Sequence, residues 1–124
     1  MLSNQPLVAF VGVSDPARAK AFYQGTLGLT LVNESPFALF FDADGTQLLV
    51  SIVPKVIPAG YTVLGWQVAD IRKKIAELSA AGVVFERYPG MAQDALGIWM
   101  APGSAAQVAW FKDPDGNTLS LSQA

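Results

Sequence analysis

The chain has 124 residues and a formal net charge of −2, with 15% charged and 52% hydrophobic side chains. This length suffices for one domain with a buried core, and a slightly acidic chain with scattered basic residues argues against nucleic-acid binding. The absence of Cys and His excludes disulfides and thiol chemistry, and it removes the commonest metal ligand and the commonest general base.

The first half of the chain alternates apolar runs with turn signals. Asp15 and Pro16 predict the start of a helix over residues 17–26, and Gly28 predicts its end. The turn Asp42-Ala43-Asp44-Gly45 is typical of a hairpin. Apolar runs predict four strands, at residues 7–13, 30–33, 37–41 and 47–53.

The second half repeats this order after a Pro-containing linker at residues 54–61. Asp70 and Gly82 bound a predicted helix at 71–81, and Asp113-Pro114-Asp115-Gly116-Asn117 forms the second hairpin turn. Strands are predicted at residues 62–68, 83–88, 107–112 and 118–122. Each half therefore reads β-α-β-β-β, which indicates an internal duplication.

The second half is longer than the first, mainly because of residues 89–104, a segment rich in Pro, Gly and Ala. We call this segment the insert. Long loops in compact domains are often functional, so Trp99 is a candidate lid residue over a binding site. The alternative is that residues 98–100 form a fixed edge strand.

Two groups of motifs resemble the vicinal oxygen chelate superfamily, which includes glyoxalase I, extradiol dioxygenases, fosfomycin-resistance proteins and bleomycin-binding proteins. Val13-Ser14-Asp15, Ala21-Phe22-Tyr23 and Leu27-Gly28-Leu29 resemble its first module, and Asp113-Pro114-Asp115-Gly116-Asn117 resembles its second-module signature. The resemblance implies an α+β fold with two tandem βαβββ modules, whose eight strands curl around a central cleft with the helices outside. It places a single glyoxalase-like domain over residues 1–124, with modules at about 6–53 and 62–123.

The resemblance also implies four metal-ligand positions, two in each module, which family members usually fill with His, Glu or Gln. By position they correspond here to Val8, Leu49, Val63 and Ser120. Three aliphatic side chains and one hydroxyl cannot supply the donors that a divalent metal needs. We therefore expect no metal and no other cofactor.

The same resemblance predicts a ligand-binding site without catalytic residues. Strand alternation places Phe10, Gly65 and Gln67 on the cleft face and Trp66 on the helix side. Ser120 and Ser122 lack an activating base, so we expect them to donate hydrogen bonds rather than attack a substrate. The expected ligand-binding residues are Val8, Phe10, Leu49, Val63, Gln67, Trp99, Ser120 and Ser122.

Three functions are consistent with these features. The first is a metal-free, bleomycin-resistance-like protein that binds a small apolar or aromatic molecule and could sequester it. The second is a glyoxalase-like lyase that works without the usual metal, and the third is a structural module with a collapsed cleft. We also expect a homodimer because few side chains are charged, and a cytoplasmic location with no nucleic-acid or membrane partner, since no secretion signal or membrane span is recognisable.

Overall fold

The computed structural model describes all 124 residues, which form two compact units at residues 1–57 and 58–124. In the first unit, β1 and β4 are parallel, the other pairs are antiparallel, and the sheet order is β1-β4-β3-β2. Its elements are β1 (Val8–Val13), α1 (Pro16–Lys20), β2 (Thr30–Glu34), β3 (Ala38–Ala43) and β4 (Thr46–Ile52).

The first helical segment begins and ends where the sequence predicts. The Asp15 carboxylate accepts a hydrogen bond from the Arg18 amide at 3.1 Å, and Gly28 follows the helix with φ of 72°. The prediction of one regular helix over 17–26 is wrong, because α1 passes into a π-helix at Ala21–Thr26. This wider turn contains Gly25, whose low helix propensity offers little resistance to a departure from α-helical geometry.

The core of the first unit lies on one face of its sheet. The Tyr23 ring is fully buried from solvent and lies 6.2 Å from the ring of Phe41, so the helical segment covers this face. The alternating inward positions of β1, β3 and β4 are buried with it, namely Val11, Val13, Leu39, Phe41, Leu48 and Val50. The opposite face of the sheet, which we call the open face, has no helix of this unit against it.

The second unit has the same order of connections, with one displacement. Its elements are β5 (Leu64–Gln67), α2 (Ile71–Ala80), β6 (Trp99–Met100), β7 (Gln107–Lys112) and β8 (Thr118–Gln123). The sheet order is β5-β8-β7-β6, with β5 parallel to β8. The Asp70 carboxylate caps α2 by accepting from the Lys73 amide at 3.1 Å, as predicted. Neither helix has the length and apolar character needed to cross a bilayer.

The sheet of the second unit also has one face covered by a helix, where the core lies, and an opposite open face. Trp66 stacks on buried Phe111 at 6.4 Å, as strand alternation predicts for a side chain on the helix side. The other buried residues of this unit include Ile71, Ile75, Ile98, Ala109, Leu119 and Leu121.

The prediction of a strand at residues 83–88 is wrong. This segment makes a single backbone hydrogen bond to β7, from the Glu86 amide to the Trp110 carbonyl at 2.8 Å. The side chain of Gln93 accepts from the Tyr88 amide and donates to the Glu86 carbonyl, so these backbone groups are satisfied without a strand partner. The edge position beside β7 is instead occupied by β6, which comes from the insert.

Both predicted hairpin turns are confirmed. In the first, Asp44 and Gly45 have φ of 50° and 88°, and the Asp42 carboxylate accepts from the Gly45 amide at 3.2 Å. In the second, the Asp113 carboxylate accepts from the amides of Asp115 and Asn117 at 3.0 and 2.9 Å. These acidic residues shape the turns by bonding backbone amides, as Asx turns do.

Candidate functional site

The open face of the first sheet carries a row of large apolar side chains. Phe10 pairs with Leu49 across β1 and β4, and Leu49 pairs with Phe40 across β4 and β3. Directly opposed residues point to the same face, so the three side chains form one row across the sheet. Phe10 is 61% exposed and Val8, two residues before it, is 37% exposed. This arrangement places Phe10 on the open face together with Phe40, whose facing the sequence did not settle.

The open face of the second sheet has a different composition in the equivalent row. Gly65 pairs with Ser120, and Ser120 pairs with Trp110. A methyl group added at Gly65 would lie 2.6 Å from the Ser120 hydroxyl, so this hydroxyl occupies the space that a larger residue would need. The position of Phe10 in the first sheet is therefore occupied by Gly65 in the second sheet, and that of Leu49 by Ser120.

The next row of the second sheet unites three of the predicted ligand-binding residues. Gln67 pairs with Ser122, Ser122 with Val108, and Val108 with Trp99 on the edge strand. Thus Gln67, Ser122 and Trp99 share one face. Of the other predicted residues, Val63 and Ser120 belong to this second unit, and Val8, Phe10 and Leu49 belong to the first.

The positions where the superfamily holds a metal occur at equivalent places in the two units. Val8 pairs with Gln47, two residues before Leu49, and Val63 donates its amide to the Thr118 carbonyl, two residues before Ser120. In the first unit Val8 and Leu49 lie in β1 and β4, and in the second unit Val63 immediately precedes β5 and Ser120 lies in β8. These four side chains offer one hydroxyl oxygen between them and do not fit a divalent metal. The structure also contains no group of three His, Cys, Asp or Glu side chains arranged to hold a metal ion.

A pocket of about 410 Å³ opens on the second unit at the end where β7 finishes and β8 begins. One wall is aromatic, because the rings of Trp110 and Tyr88 meet edge to face at 5.7 Å. The indole N–H of Trp110 donates to the Thr62 hydroxyl at 3.0 Å, which fixes the orientation of that ring. The lining residues are Ala59, Gly60, Tyr61, Thr62, Tyr88, Met91, Trp110, Lys112 and Thr118.

Two polar groups determine which molecules this pocket favours. Burial, with a smaller contribution from the charge of Glu86, raises the pKa of Tyr88, so its phenol stays neutral and keeps its proton for hydrogen bonding. Lys112 lies two residues after Trp110 on β7 and pairs with Thr118, so its ammonium group is on the open face. It is the one charged residue that lines the pocket.

The insert beside this pocket is held by a network of side-chain hydrogen bonds. Gln93 donates to the Glu86 and Gly97 carbonyls at 3.0 and 2.8 Å, and accepts from the Tyr88 amide at 2.8 Å. Trp99 lies in the edge strand and packs 6.0 Å from Trp110. The insert thus forms the fixed edge strand, which was the alternative to a lid.

Asp94 anchors the same segment from the other side. Its carboxylate accepts from the Leu96 and Ile98 amides, each at 2.9 Å, and from the Arg72 guanidinium at 2.7 Å. Burial alone would raise the pKa of Asp94, but the hydrogen bonds from Ile98, Arg72 and Leu96 together hold it below its usual value. The insert is therefore tied to α2 by the ion pair between Asp94 and Arg72.

Most of the residues that line the pocket were not predicted from the sequence. Tyr61 is the last residue of the predicted linker and Thr62 the first of the predicted strand at 62–68, while Tyr88 ends the segment 83–88 and Met91 belongs to the insert. Lys112 directly precedes the second hairpin turn, where a charged residue is common and does not indicate a binding site. The alternation of side chains along β7 could have predicted part of the pocket, because it places Trp110 and Lys112 on the same face of the sheet.

The fold matches known proteins over its whole length. A glyoxalase family protein from Enterococcus faecalis has a TM-score of 0.78 at 20% identity, covering 98% of this chain and 99% of that chain. The genomically encoded fosfomycin resistance protein FosX from Listeria monocytogenes has a TM-score of 0.77 at 15% identity, covering 100% and 95%. A lactoylglutathione lyase from Agrobacterium tumefaciens has a TM-score of 0.74 at 17% identity, covering 98% and 94%.

At these identities the solved structures show a shared fold. No curated protein sequence matches the chain. The sequence model of the Glyoxalase/Bleomycin resistance protein/Dioxygenase superfamily, however, matches residues 7–121, which is nearly the entire chain. The chain therefore belongs to the Glyoxalase/Bleomycin resistance protein/Dioxygenase superfamily.

Proposed function

We propose that this protein is a metal-free member of its superfamily that binds a small, largely apolar or aromatic molecule on the open faces of its sheets. It holds the molecule rather than transforming it. The observation that carries the proposal is the row of Phe10, Leu49 and Phe40, because large apolar side chains occupy a sheet face where relatives with metal would have donors. Aromatic side chains bury large areas and dominate the energetics of apolar ligand binding.

The exposure of Phe10 supports this assignment. A phenyl ring that is 61% exposed on a sheet face leaves apolar surface in contact with water. Covering such a side chain fully is worth about 1.5–3 kcal/mol. A ligand that covers Phe10 therefore gains affinity from a group that contributes little to the core of its own unit.

The open face of the second sheet carries polar groups that would orient a ligand bound on that face. Gln67 and Ser122 can offer an amide and a hydroxyl group to an otherwise apolar molecule, whereas Ser120 is buried, with 8% of its surface exposed. A few placed polar groups in a mostly apolar site are the usual basis of small-molecule specificity.

The experiment is a thermal-stability screen of small aromatic compounds, read by intrinsic Trp fluorescence. A ligand that binds only the folded chain raises the unfolding temperature as its concentration increases. Compounds that do so are then titrated against Phe10→Ser, which should weaken binding by about tenfold or more. Phe37→Ser is the matched control, because Phe37 is 79% exposed but lies outside the open-face row. A screen without any stabilising compound contradicts the proposal.

The same samples test the lyase alternative, which the fold shared with a lactoylglutathione lyase keeps under consideration. Turnover of the hemithioacetal of methylglyoxal and glutathione by the protein, abolished in Phe10→Ser, would favour that alternative. We expect no turnover, because the chain has no His to act as a base and no group of three His, Cys, Asp or Glu side chains arranged to hold a metal ion.

We further propose that the protein is a homodimer. Only 15% of its residues are charged, and Phe37, Ile57 and Val84 are among several large apolar side chains that are mostly exposed in the single chain. A standard interface of about 800 Å² per partner would cover several of them. Light scattering at tens of micromolar should give twice the 13.1 kDa chain mass. A mass equal to one chain would exclude the dimer.

A further inference from the structure

The pocket on the second unit has a charge asymmetry that the proposed function does not use. Its wall is built from Trp110, Tyr88, Tyr61 and Met91, and Lys112 supplies its single charge. No acidic residue lines it. An ammonium group beside an aromatic wall disfavours cationic ligands and favours anionic ones.

The spacing along β7 defines the size of a matching ligand. Trp110 and Lys112 are two residues apart on one face, which corresponds to about 6.8 Å along an antiparallel strand. A ring system stacked on the indole would therefore place a substituent one ring-length away within reach of the ammonium group. The volume of about 410 Å³ lies within the range of pockets for drug-sized molecules, about 300–1,000 Å³.

The aromatic wall is already oriented before a ligand binds. The hydrogen bond from the Trp110 indole to Thr62 fixes one ring, and the edge-to-face contact at 5.7 Å fixes Tyr88 against it. A site with ordered rings loses little conformational entropy on binding, so planar molecules benefit most. Tyr88 keeps its phenolic proton and can donate a hydrogen bond to an anionic oxygen.

We propose that this pocket binds aromatic anions, that is, planar apolar ring systems carrying one carboxylate or sulfonate group. The ring packs on Trp110 and Tyr88, and the anionic group lies at Lys112. This inference rests on the proposed function and specifies its ligand class, since Trp110 shares the open face with the predicted ligand-binding residues of the second unit.

The test compares two fluorescent probes with the same rings. The probe 8-anilinonaphthalene-1-sulfonate carries an anionic group, and N-phenyl-1-naphthylamine is its neutral counterpart. Both are titrated into the full chain and into Lys112→Met at low ionic strength. Lys73→Met is the matched control, because it removes one positive charge from the exposed surface of α2 in the same unit.

We expect the wild-type chain to bind the sulfonate more tightly than the neutral probe. Lys112→Met should weaken sulfonate binding about threefold to fivefold, the range for an exposed charge pair. Binding of the neutral probe should not change, and Lys73→Met should leave both affinities unchanged. Added salt should reduce the preference for the sulfonate in the wild-type chain.

The outcomes separate the two proposals. If both probes bind equally well and Lys112→Met changes neither affinity, the aromatic-anion site is refuted while the general apolar binding function stands. If Lys73→Met has the same effect as Lys112→Met, the preference reflects net charge and the site is also refuted. If neither probe binds the wild-type chain, the proposed function fails for this ligand class together with the inference.

Discussion

The side chain of Gln93 organises the insert, and its replacement by Ala is the most informative test of how the second unit is built. The amide makes three hydrogen bonds, to the Glu86 carbonyl, the Gly97 carbonyl and the Tyr88 amide, with lengths between 2.8 and 3.0 Å. A hydrogen bond contributes about 1 kcal/mol net, and a backbone group left without a partner adds to the loss. Gln93→Ala should therefore lower the free energy of unfolding by about 2–4 kcal/mol.

Urea denaturation followed by Trp fluorescence measures this change, and hydrogen exchange locates it. The Tyr88 amide should exchange faster in Gln93→Ala, because it loses its acceptor. Gln93→Glu keeps an acceptor but puts a carboxylate against two carbonyls, so it should also destabilise at neutral pH. Gln5→Ala is the control, since Gln5 is exposed and its side chain makes one long hydrogen bond of 3.5 Å. A loss below about 0.5 kcal/mol in Gln93→Ala would refute this account of the insert.

Three further predictions concern the same unit. The pKa of Asp94 is lowered in the folded chain, so the ionised carboxylate stabilises the fold fully above about pH 5, and this contribution is lost as the pH falls. In urea titrations at several pH values, Asp94→Asn should remove this part of the acid dependence of the free energy of unfolding. An unchanged pH profile would contradict the prediction. Trp99→Ala should cost about 2 kcal/mol of stability, roughly half the value for a fully buried aromatic, whereas a change in ligand affinity alone would restore the lid hypothesis. Gly65→Ala should destabilise by about 1–3 kcal/mol through its contact with the Ser120 hydroxyl, and adding Ser120→Ala should recover most of the loss; no recovery would mean that the crowding lies elsewhere.

The features that the sequence predicted correctly are local ones. Asp15 and Asp70 cap helices because their carboxylates reach amides three residues ahead, and that contact needs only a short stretch of chain. The two hairpins follow from turn residues in the same way. The facing of Phe10 and Trp66 was also predictable, since alternation along a strand requires only the register of one known residue.

The features that the sequence did not predict depend on contacts between distant segments. Residues 83–88 have the alternation of a strand, and Val83 is buried while Val84 is 75% exposed. They do not enter the sheet because the Gln93 side chain forms hydrogen bonds with their backbone groups, and because β6 of the insert occupies the edge of the sheet. Nothing in the composition of residues 83–88 signals this competition.

The pocket was missed for a similar reason. Its members come from the linker, the segment after α2 and the end of β7, and only the pairing of Lys112 with Thr118 assigns its cation to the open face. Sequence reasoning placed candidate residues on strands near the four metal positions. The sequence does not show which aromatic side chain lies next to which charged side chain.

The proposed function requires that the chain binds a small aromatic molecule without a metal. The most direct test is a fluorescence titration with N-phenyl-1-naphthylamine on protein dialysed exhaustively against EDTA, repeated after addition of Zn²⁺, Ni²⁺, Mn²⁺ or Fe²⁺, with the metal content of each sample measured by elemental analysis. We predict saturable binding with the same Kd in all samples and no stoichiometric metal, because Val8, Leu49, Val63 and Ser120 supply too few donors. Binding that disappears in EDTA and returns with about one tightly held metal ion per chain would contradict the account.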